Sequence, residues 1–594
     1  MVINRLDKLR ALMEKYGYGA YIVSDADPHA GEYVADHWKM RSWLTGFTGS
    51  NGTLVVTRDE ALLWTDGRYY IQAENQLLNT TIKLMRGGEP DTPDYPAWIA
   101  ANVPASSKVG VNGAATPCSA YDDLRGVLGK HGMKIETERD LVGMIWTENR
   151  YGLPDNKIYE HDIRYCGKST KEKLTDVRKE LRRLGANYAL IAGLEDVAWL
   201  CNVRGSDMPY LPVAYAYALV SLDDAELYID PVKVGGDASE RLAGQGVKIA
   251  DAGLLPARLE NLGADDNICC DSRKLSVYLR NRIKGGARVI NSDEPTVKLK
   301  AIKNEAELSG HRECQIQDGV AMVRFLMWVE REVRSGRTPS EWEASLRLSG
   351  FRALGRDSRG DSFRTIVGYG PNGAMMHYAP KEGESASIKN EGLMVVDSGG
   401  QYPGGTTDVT RTVAFDRTTD EERYDFTLTL KSHVALASAR FLYGAAGCHL
   451  DSIARKVMWD YGLDYKCGTG HGIGSYLSVH EGPQSISMKS QTGVRLEENM
   501  IVSVEPGVYR EGKHGVRTEN LAVITEDFTN EFGRFMKFET LTFCPIDLRG
   551  VIPEMLEDAE RIWLNGYHRA VREKLSPSLD EAERAWLADA TRSI

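Results

Sequence analysis

The stretch Leu393-Met394-Val395-Val396-Asp397-Ser398-Gly399-Gly400-Gln401-Tyr402-Pro403-Gly404-Gly405-Thr406-Thr407-Asp408-Val409-Thr410-Arg411-Thr412-Val413 holds two apolar runs, each bordering an aspartate, on either side of a Pro-Gly-Gly turn. Such runs around such a turn predict a hairpin. Positions 397 and 408 are symmetric about the turn, so to within a residue of register the two aspartates are expected to face each other across the strands. Opposed like charges repel, and they are tolerated best with a cation between them. Alone, either aspartate would read as a solvated turn residue.

A second hairpin repeats the device: Ile501-Val502-Ser503-Val504 leads into Glu505, Glu511-Gly512-Lys513 turns the chain, and Val516 to Val523 returns with Glu519. Period-two alternation puts Arg517 and Glu519 on one face, where the guanidinium can orient the carboxylate or steady a nearby anionic group. Between the hairpins, the glycines of Gly468-Thr469-Gly470-His471-Gly472-Ile473-Gly474 let the backbone crowd a site, and His480-Glu481-Gly482-Pro483 follows. Asp397, Asp408, His471, Glu505 and Glu519 form a hard, oxygen-rich donor set that suits a pair of Mn²⁺-like ions and lacks the thiolates of structural zinc. Two bridged ions hold and deprotonate a water, so the residues predict a water-activating metallohydrolase.

Gly368-Tyr369-Gly370-Pro371-Asn372-Gly373 matches the spacing of a dinucleotide-binding loop. Such a loop must open a helix whose N-terminus receives the pyrophosphate, and the run before Pro380 leaves little room for one. Nucleotide binding is therefore not expected.

Upstream, Trp43-Leu44-Thr45-Gly46-Phe47-Thr48-Gly49-Ser50-Asn51 is echoed 156 residues later by Trp199-Leu200-Cys201-Asn202-Val203-Arg204-Gly205-Ser206-Asp207. Each copy follows a helix-periodic stretch, a glycine stop and an apolar strand, Tyr21-Ile22-Val23 or Ala189-Leu190-Ile191. The reading is an α/β (α+β) chain with two duplicated N-terminal domains, 1–150 and 151–295. A catalytic domain follows over 296–546 and a helical C-terminal extension over 547–594. At 594 residues the chain has room for several cores. A net charge of −11 without a basic segment argues against nucleic acid as a partner. Nine irregularly spaced cysteines argue for a reducing compartment. The N-terminus lacks the apolar core of a secretory signal, and Tyr210 to Leu222 is too short to span a bilayer, so no membrane partner and a cytoplasmic location are expected.

The ordered set Asp, Asp, His, Glu, Glu in these glycine contexts resembles the pita-bread metallopeptidases. Its motifs, with Val479-His480-Glu481-Gly482-Pro483 and the tail segment Trp563-Leu564-Asn565-Gly566-Tyr567-His568, resemble the three-domain, cytosolic-type aminopeptidases P over nearly the whole chain. The resemblance implies two creatinase-like domains before a pita-bread domain that binds two divalent ions, Mn²⁺ first and Zn²⁺ or Co²⁺ as alternatives. It implies removal of the first residue from peptides with proline second, and a homodimer. By the same resemblance Asp397 binds one metal, His471 and Glu505 the other, and Asp408 and Glu519 bridge them. Glu505 is then the general base, His377 and His480 flank the prolyl side and stabilise the oxyanion, and Arg517 supports the site. Cys467 stands where relatives carry a substrate-contacting histidine. A prolidase, or an inactive protein that binds peptides, is the alternative; intact ligands argue against the latter, the doubled N-terminal domain and tail against the former.

Overall fold

Leu6, Leu9 and Met13 recur at helical spacing and are buried on one face of the helix Val2–Tyr16, which stops at the left-handed Gly17. Leu174, Val177 and Leu181 do the same on Thr170–Leu184, which opens with a Ser169–Glu172 capping box and stops at the left-handed Gly185. These are the two preludes that the repeat predicts. The computed structural model describes residues 2–594.

Each prelude feeds a mixed six-stranded sheet. The first has the order Lys83–Arg86, Ala61–Thr65, Thr53–Thr57, Tyr18–Ser24, Lys108–Gly110, Lys134–Glu136. The second has the order Lys248–Ala250, Ala225–Ile229, Ala216–Ser221, Tyr188–Ile191, Asn267–Cys270, Arg288–Asn291. In both, two antiparallel pairings lie at one side of the sheet's first-formed strand and parallel pairings complete the two edges. The echoed segments end the helices Met40–Thr45 and Leu194–Cys201, where Gly46 and Asn202 both take the left-handed conformation at equivalent positions. Two sheets of one topology at one spacing are the signature of duplication.

The chain forms two compact units. One runs to Glu160 and resumes over Lys168–Thr296, and the other comprises His161–Gly167 and Val297–Ile594. The second unit contains a three-stranded antiparallel sheet, Ile366–Tyr369, Leu393–Ser398 and Val409–Ala414, and a six-stranded one that includes Gly470–Gly472, Ile501–Val504 and Asn520–Asn530. Met322, Phe325 and Val329 of the helix Glu305–Arg334, with Ala344 and Leu348 of Glu341–Ala353, pack on the first sheet. Leu436 of Asp420–Ala437 and Leu450 and Ala454 of Gly447–Trp459 pack on the second. Each fully buried Leu or Phe of these layers contributes about 1.5–3 kcal/mol of transfer free energy.

The last two helices lie between the hairpins, where strand-and-turn patterning alone does not place them. The legible signal for the first is the capping box of Thr419 with Glu422. In the C-terminal extension the helix Asp558–Leu575 buries Leu564, Tyr567, His568, Val571 and Leu575, while Ile562 points to solvent. No helix among the described residues is long and apolar enough to cross a membrane, and no disulfide joins any of the nine cysteines.

Candidate dinuclear metal site

The aspartate hairpin pairs Asp397 with Thr410 and Ser398 with Val409, and the same register continues into Gln401 opposite Thr406. Its centre lies between Pro403 and Gly404, because Gly405 pairs with Tyr402 and already belongs to the return strand. Asp408 therefore falls opposite Gly399, and the two aspartates are diagonal neighbours on one face rather than directly opposed as their spacing suggested. The glutamate hairpin follows its expected register. Val504 pairs with Asn520 and Gly507 with Arg517, so Glu505 and Glu519 are opposed about Gly512, whose φ is +74°.

His471 sits on the short strand Gly470–Gly472, beside Ile501–Val504. Its Nδ1 hydrogen bonds to Gly472 O at 2.8 Å, which turns Nε2 towards the acids. That atom lies 3.4 Å from Asp408 Oδ2, 3.4 Å from Glu505 Oε1 and 4.0 Å from Glu519 Oε1. Asp408, His471 and Glu519 offer ligand atoms that all lie within 4.8 Å of one another.

The acids are taken out of water without enough cationic charge from the protein. Asp397, Asp408 and Glu519 are buried, and Asp397 Oδ1, Asp408 Oδ1 and Glu519 Oε1 have no hydrogen-bond partner among the described residues. Burial, then the charges of Asp397 and Glu505, pushes the Asp408 carboxyl up to about 6, against the hydrogen bond from His471. Burial and the charges of Asp408, Glu505 and Asp397 hold Glu519 well above the carboxylate range. Burial lowers the pKa of His471, but its hydrogen bond to Asp408 and the charge of Glu505 outweigh that and raise it to about 9. Orphaned, mutually repelling carboxylate oxygens converging with one imidazole nitrogen fit a pair of divalent cations, which would satisfy the oxygens and relieve the repulsion.

Arg517 binds the cluster from one side. Its Nη2 donates to Asp397 Oδ2 at 2.6 Å, its Nε to Thr410 Oγ1 at 3.1 Å and its Nη1 to Tyr509 OH at 2.7 Å. Thr410 Oγ1 in turn donates to Glu519 Oε2 at 2.6 Å, which joins the two hairpins. Ser503 Oγ accepts from His471 N at 3.0 Å and donates to Glu505 Oε1 at 3.1 Å. Sequence reasoning missed Thr410, Ser503 and Tyr509. The first two were within reach of it, since period two from Asp408 and from Glu505 puts them on the site's face.

The softer assignments lie around this centre. The exposed His480 packs edge-on to His471, with ring centroids 4.4 Å apart. His377 follows Met376, whose carbonyl accepts from Arg517 Nη2 at 3.4 Å. Its neighbour Tyr378 donates to Glu341 Oε2 at 2.7 Å, and Glu341 also accepts from Tyr369 N, Asn372 Nδ2 and Ala386 N. That buried carboxylate organises the Gly368–Gly373 stretch, which forms the 3₁₀ turn Gly370–Ala374 and opens no α-helix. Cys467 is half-buried against Tyr465, Val508 and Tyr509, and burial, then the Glu505 charge, pushes its thiol up to about 12. It is a neutral packing group here, without the two nitrogens of an imidazole.

Residues 309–526 match metallopeptidase family M24, 534–594 the C-terminal region of that peptidase, and 5–137 and 149–307 the creatinase/prolidase N-terminal domain. A probable Xaa-Pro aminopeptidase P of Laccaria bicolor is 38% identical over 98% of this chain and 92% of its own. Aminopeptidase P2 of Arabidopsis thaliana is 37% identical over 100% and 89%. The crystal structure of an X-prolyl aminopeptidase from Caenorhabditis elegans, a cytosolic enzyme with a di-nuclear active site, superposes with a TM-score of 0.95 at 33% identity over the whole of both chains. A Xaa-Pro dipeptidase of Bacillus anthracis shares the fold over 64% of this chain, at 22% identity and a TM-score of 0.51. With two creatinase-type domains, an M24 domain and the M24 C-terminal region in the order of full-length relatives at 37–39% identity, the chain belongs to metallopeptidase family M24, among the aminopeptidases P.

Proposed function

We propose that the protein is a metal-dependent Xaa-Pro aminopeptidase that hydrolyses the first peptide bond of peptides with proline second. The single observation that carries this is the convergence of Asp408, His471 and Glu519 on one point, with Glu505 at 3.4 Å and Asp397 held by Arg517. Full-length likeness to proteins named as Xaa-Pro aminopeptidases supports the substrate class. Asp397 would hold one ion, His471 and Glu505 the other, and Asp408 and Glu519 would be shared by both, with Mn²⁺ the metal that suits this set first and Zn²⁺ or Co²⁺ as alternatives. Such an ion pair would supply an acidified water and polarise the scissile carbonyl.

The chain's own residues supply the rest. An Xaa-Pro bond is a tertiary amide, so its nitrogen leaves only when protonated. Glu505, steadied by Ser503 and by its own N–H to Thr469 O at 2.8 Å, takes a proton from the attacking water and delivers it to that nitrogen. His480 and His377 flank the prolyl side of the substrate and stabilise the oxyanion, while Arg517 orients Asp397. Cys467 lines the substrate side. The division at 150, 295 and 546, a cytoplasmic location and a homodimer complete the proposal; the first is supported by the family matches, the second by the cytosolic Caenorhabditis elegans relative.

The test is release of the first residue from Arg-Pro-Pro and from Arg-Pro, with and without Mn²⁺, beside Glu505→Ala. Metal-dependent cleavage of the tripeptide that the variant lacks is expected. Cleavage of the dipeptide alone would make the protein a prolidase, and inactivity towards both with metal bound would make it a binding protein.

A further inference from the structure

The tail segment Trp563-Leu564-Asn565-Gly566-Tyr567-His568 lies in the helix Asp558–Leu575, outside the hairpins, and the chemistry above does not use it. Its side chains nevertheless reach Arg411 of the aspartate hairpin, His433 and the backbone of residues 542–546. Tyr567 OH accepts from Arg411 Nη2 at 2.7 Å and from Cys544 N at 3.2 Å, and reaches Thr542 O at 3.1 Å and Cys544 O at 2.9 Å as a donor. His568 Nε2 accepts from Ile546 N at 3.1 Å. Trp563 stacks on Tyr567 with centroids 5.3 Å apart and meets the ring of His433 edge-on at 5.7 Å.

Arg411 is the hub. It is buried, and its Nη1 donates to Glu519 O at 2.6 Å and Thr410 O at 2.8 Å. Its Nη2 also donates to Asn520 Oδ1 at 2.8 Å, and its Nε to Pro545 O at 3.0 Å. From Asn520 the network crosses to the other glutamate: Asn520 Nδ2 donates to His433 Nε2 at 3.2 Å, and His433 Nδ1 donates to Val504 O at 3.0 Å, one residue before Glu505. A continuous chain of hydrogen bonds thus runs from Tyr567 through Arg411, Asn520 and His433 to the carbonyls of Glu519 and Val504. None of these side chains reaches a ligand oxygen itself. A planar guanidinium with every donor engaged fixes the carbonyls it binds more tightly than solvent or a flexible amine would.

We propose that the C-terminal extension is a positioning element of the metal site: Tyr567 and Trp563, acting through Arg411, Asn520 and His433, lock the backbone register of Glu519 against Glu505 and so set the spacing of the two ions. This rests on the metal-site reading given above. Outer contacts of this kind typically change metal affinity about 10–100-fold when removed.

The test is calorimetric titration of the full-length apo protein with Mn²⁺ alone. The wild type is expected to bind two ions, Tyr567→Phe to bind them about 10-fold more weakly and Arg411→Lys towards 100-fold more weakly, with both variants folded by circular dichroism. Leu587→Ala, in the buried face of the helix Glu581–Ala590 of the same extension and outside the network, is the control for loss of stability alone. It is expected to lower Tm while titrating like the wild type. Wild-type titration by Tyr567→Phe, or equal weakening in Leu587→Ala, would overturn the positioning role. A wild type that binds no Mn²⁺ would overturn the metal-site reading beneath it.

Discussion

The two acidic hairpins use one device and end differently. The glutamate hairpin keeps a single register from Ile501 to Gly512 and back, opposes its acids directly, and turns at an exposed glycine with open space around it. The aspartate hairpin sets its acids diagonally and buries its turn, where Gly404 lies so close to Gly310 of the helix Glu305–Arg334 that a Cβ on Gly310 would overlap the Gly404 carbonyl. His161 Nε2 adds a hydrogen bond to Pro403 O at 2.7 Å on that turn. The glutamates share one cation, His471, whose Nε2 lies 3.4 Å from Glu505 and 4.0 Å from Glu519, and Glu519 also accepts from Thr410. Asp397 accepts from Arg517. Both hairpins have a ladder; they differ at the turn itself, open at Gly512 and packed at Gly404.

The sharpest way to break this comparison is at Glu505. If the opposed glutamate carries the proton, Glu505→Gln lowers kcat on Arg-Pro-Pro by about 10²–10⁴-fold with peptide binding retained; a smaller loss would put the base elsewhere. Next is the bridge between hairpins. Thr410→Val keeps the shape and removes the hydroxyl shared by Arg517 and Glu519, and calorimetry should find Mn²⁺ bound about 10–100-fold more weakly.

The tips come third. Gly310→Ala forces backbone apart and should cost about 1–3 kcal/mol in urea unfolding. Gly512→Ala meets no neighbour and should cost only the left-handed strain, about 1 kcal/mol. Equal costs would show that both turns are free.

The smallest effect concerns the outer end of the glutamate hairpin, where Arg510 Nη2 donates to Asp425 Oδ1 at 2.8 Å and His514 Nε2 lies 2.8 Å from Oδ2. Burial opposes ionisation of Asp425, but these hydrogen bonds outweigh it and hold its pKa below the ordinary value. A carboxyl with a depressed folded-state pKa stabilises above its unfolded pKa of about 3.9 and loses that contribution as pH falls through the folded value. Asp425→Asn should therefore lower stability by on the order of 1 kcal/mol at pH 7, and the Tm gap to wild type should close below pH 4.

The four acids were legible as candidates because each lies in or beside an apolar run at a turn, a pattern that chain-local physics creates, and His471 because of the glycines on either side of it. The Glu505–Glu519 opposition followed from counting about Gly512. The Asp397–Asp408 opposition did not, because counting cannot tell whether Gly405 belongs to the turn or to the returning strand. The duplicated sheets were legible from a nine-residue echo, whereas the helices Asp420–Ala437 and Gly447–Trp459 were hidden between motifs that drew the eye to strands.

Alternation, turn chemistry and glycine spacing act over a few residues, so the sequence by itself determined the hairpins and the two-fold repeat and singled out a candidate donor set. Which carboxylate oxygens are left without partners, that Thr410 joins the hairpins, and that Tyr567 reaches Glu519 through Arg411 were decided only by tertiary structure. Those contacts join residues more than a hundred positions apart, and burial alone makes an unpaired oxygen or a fully bonded guanidinium matter.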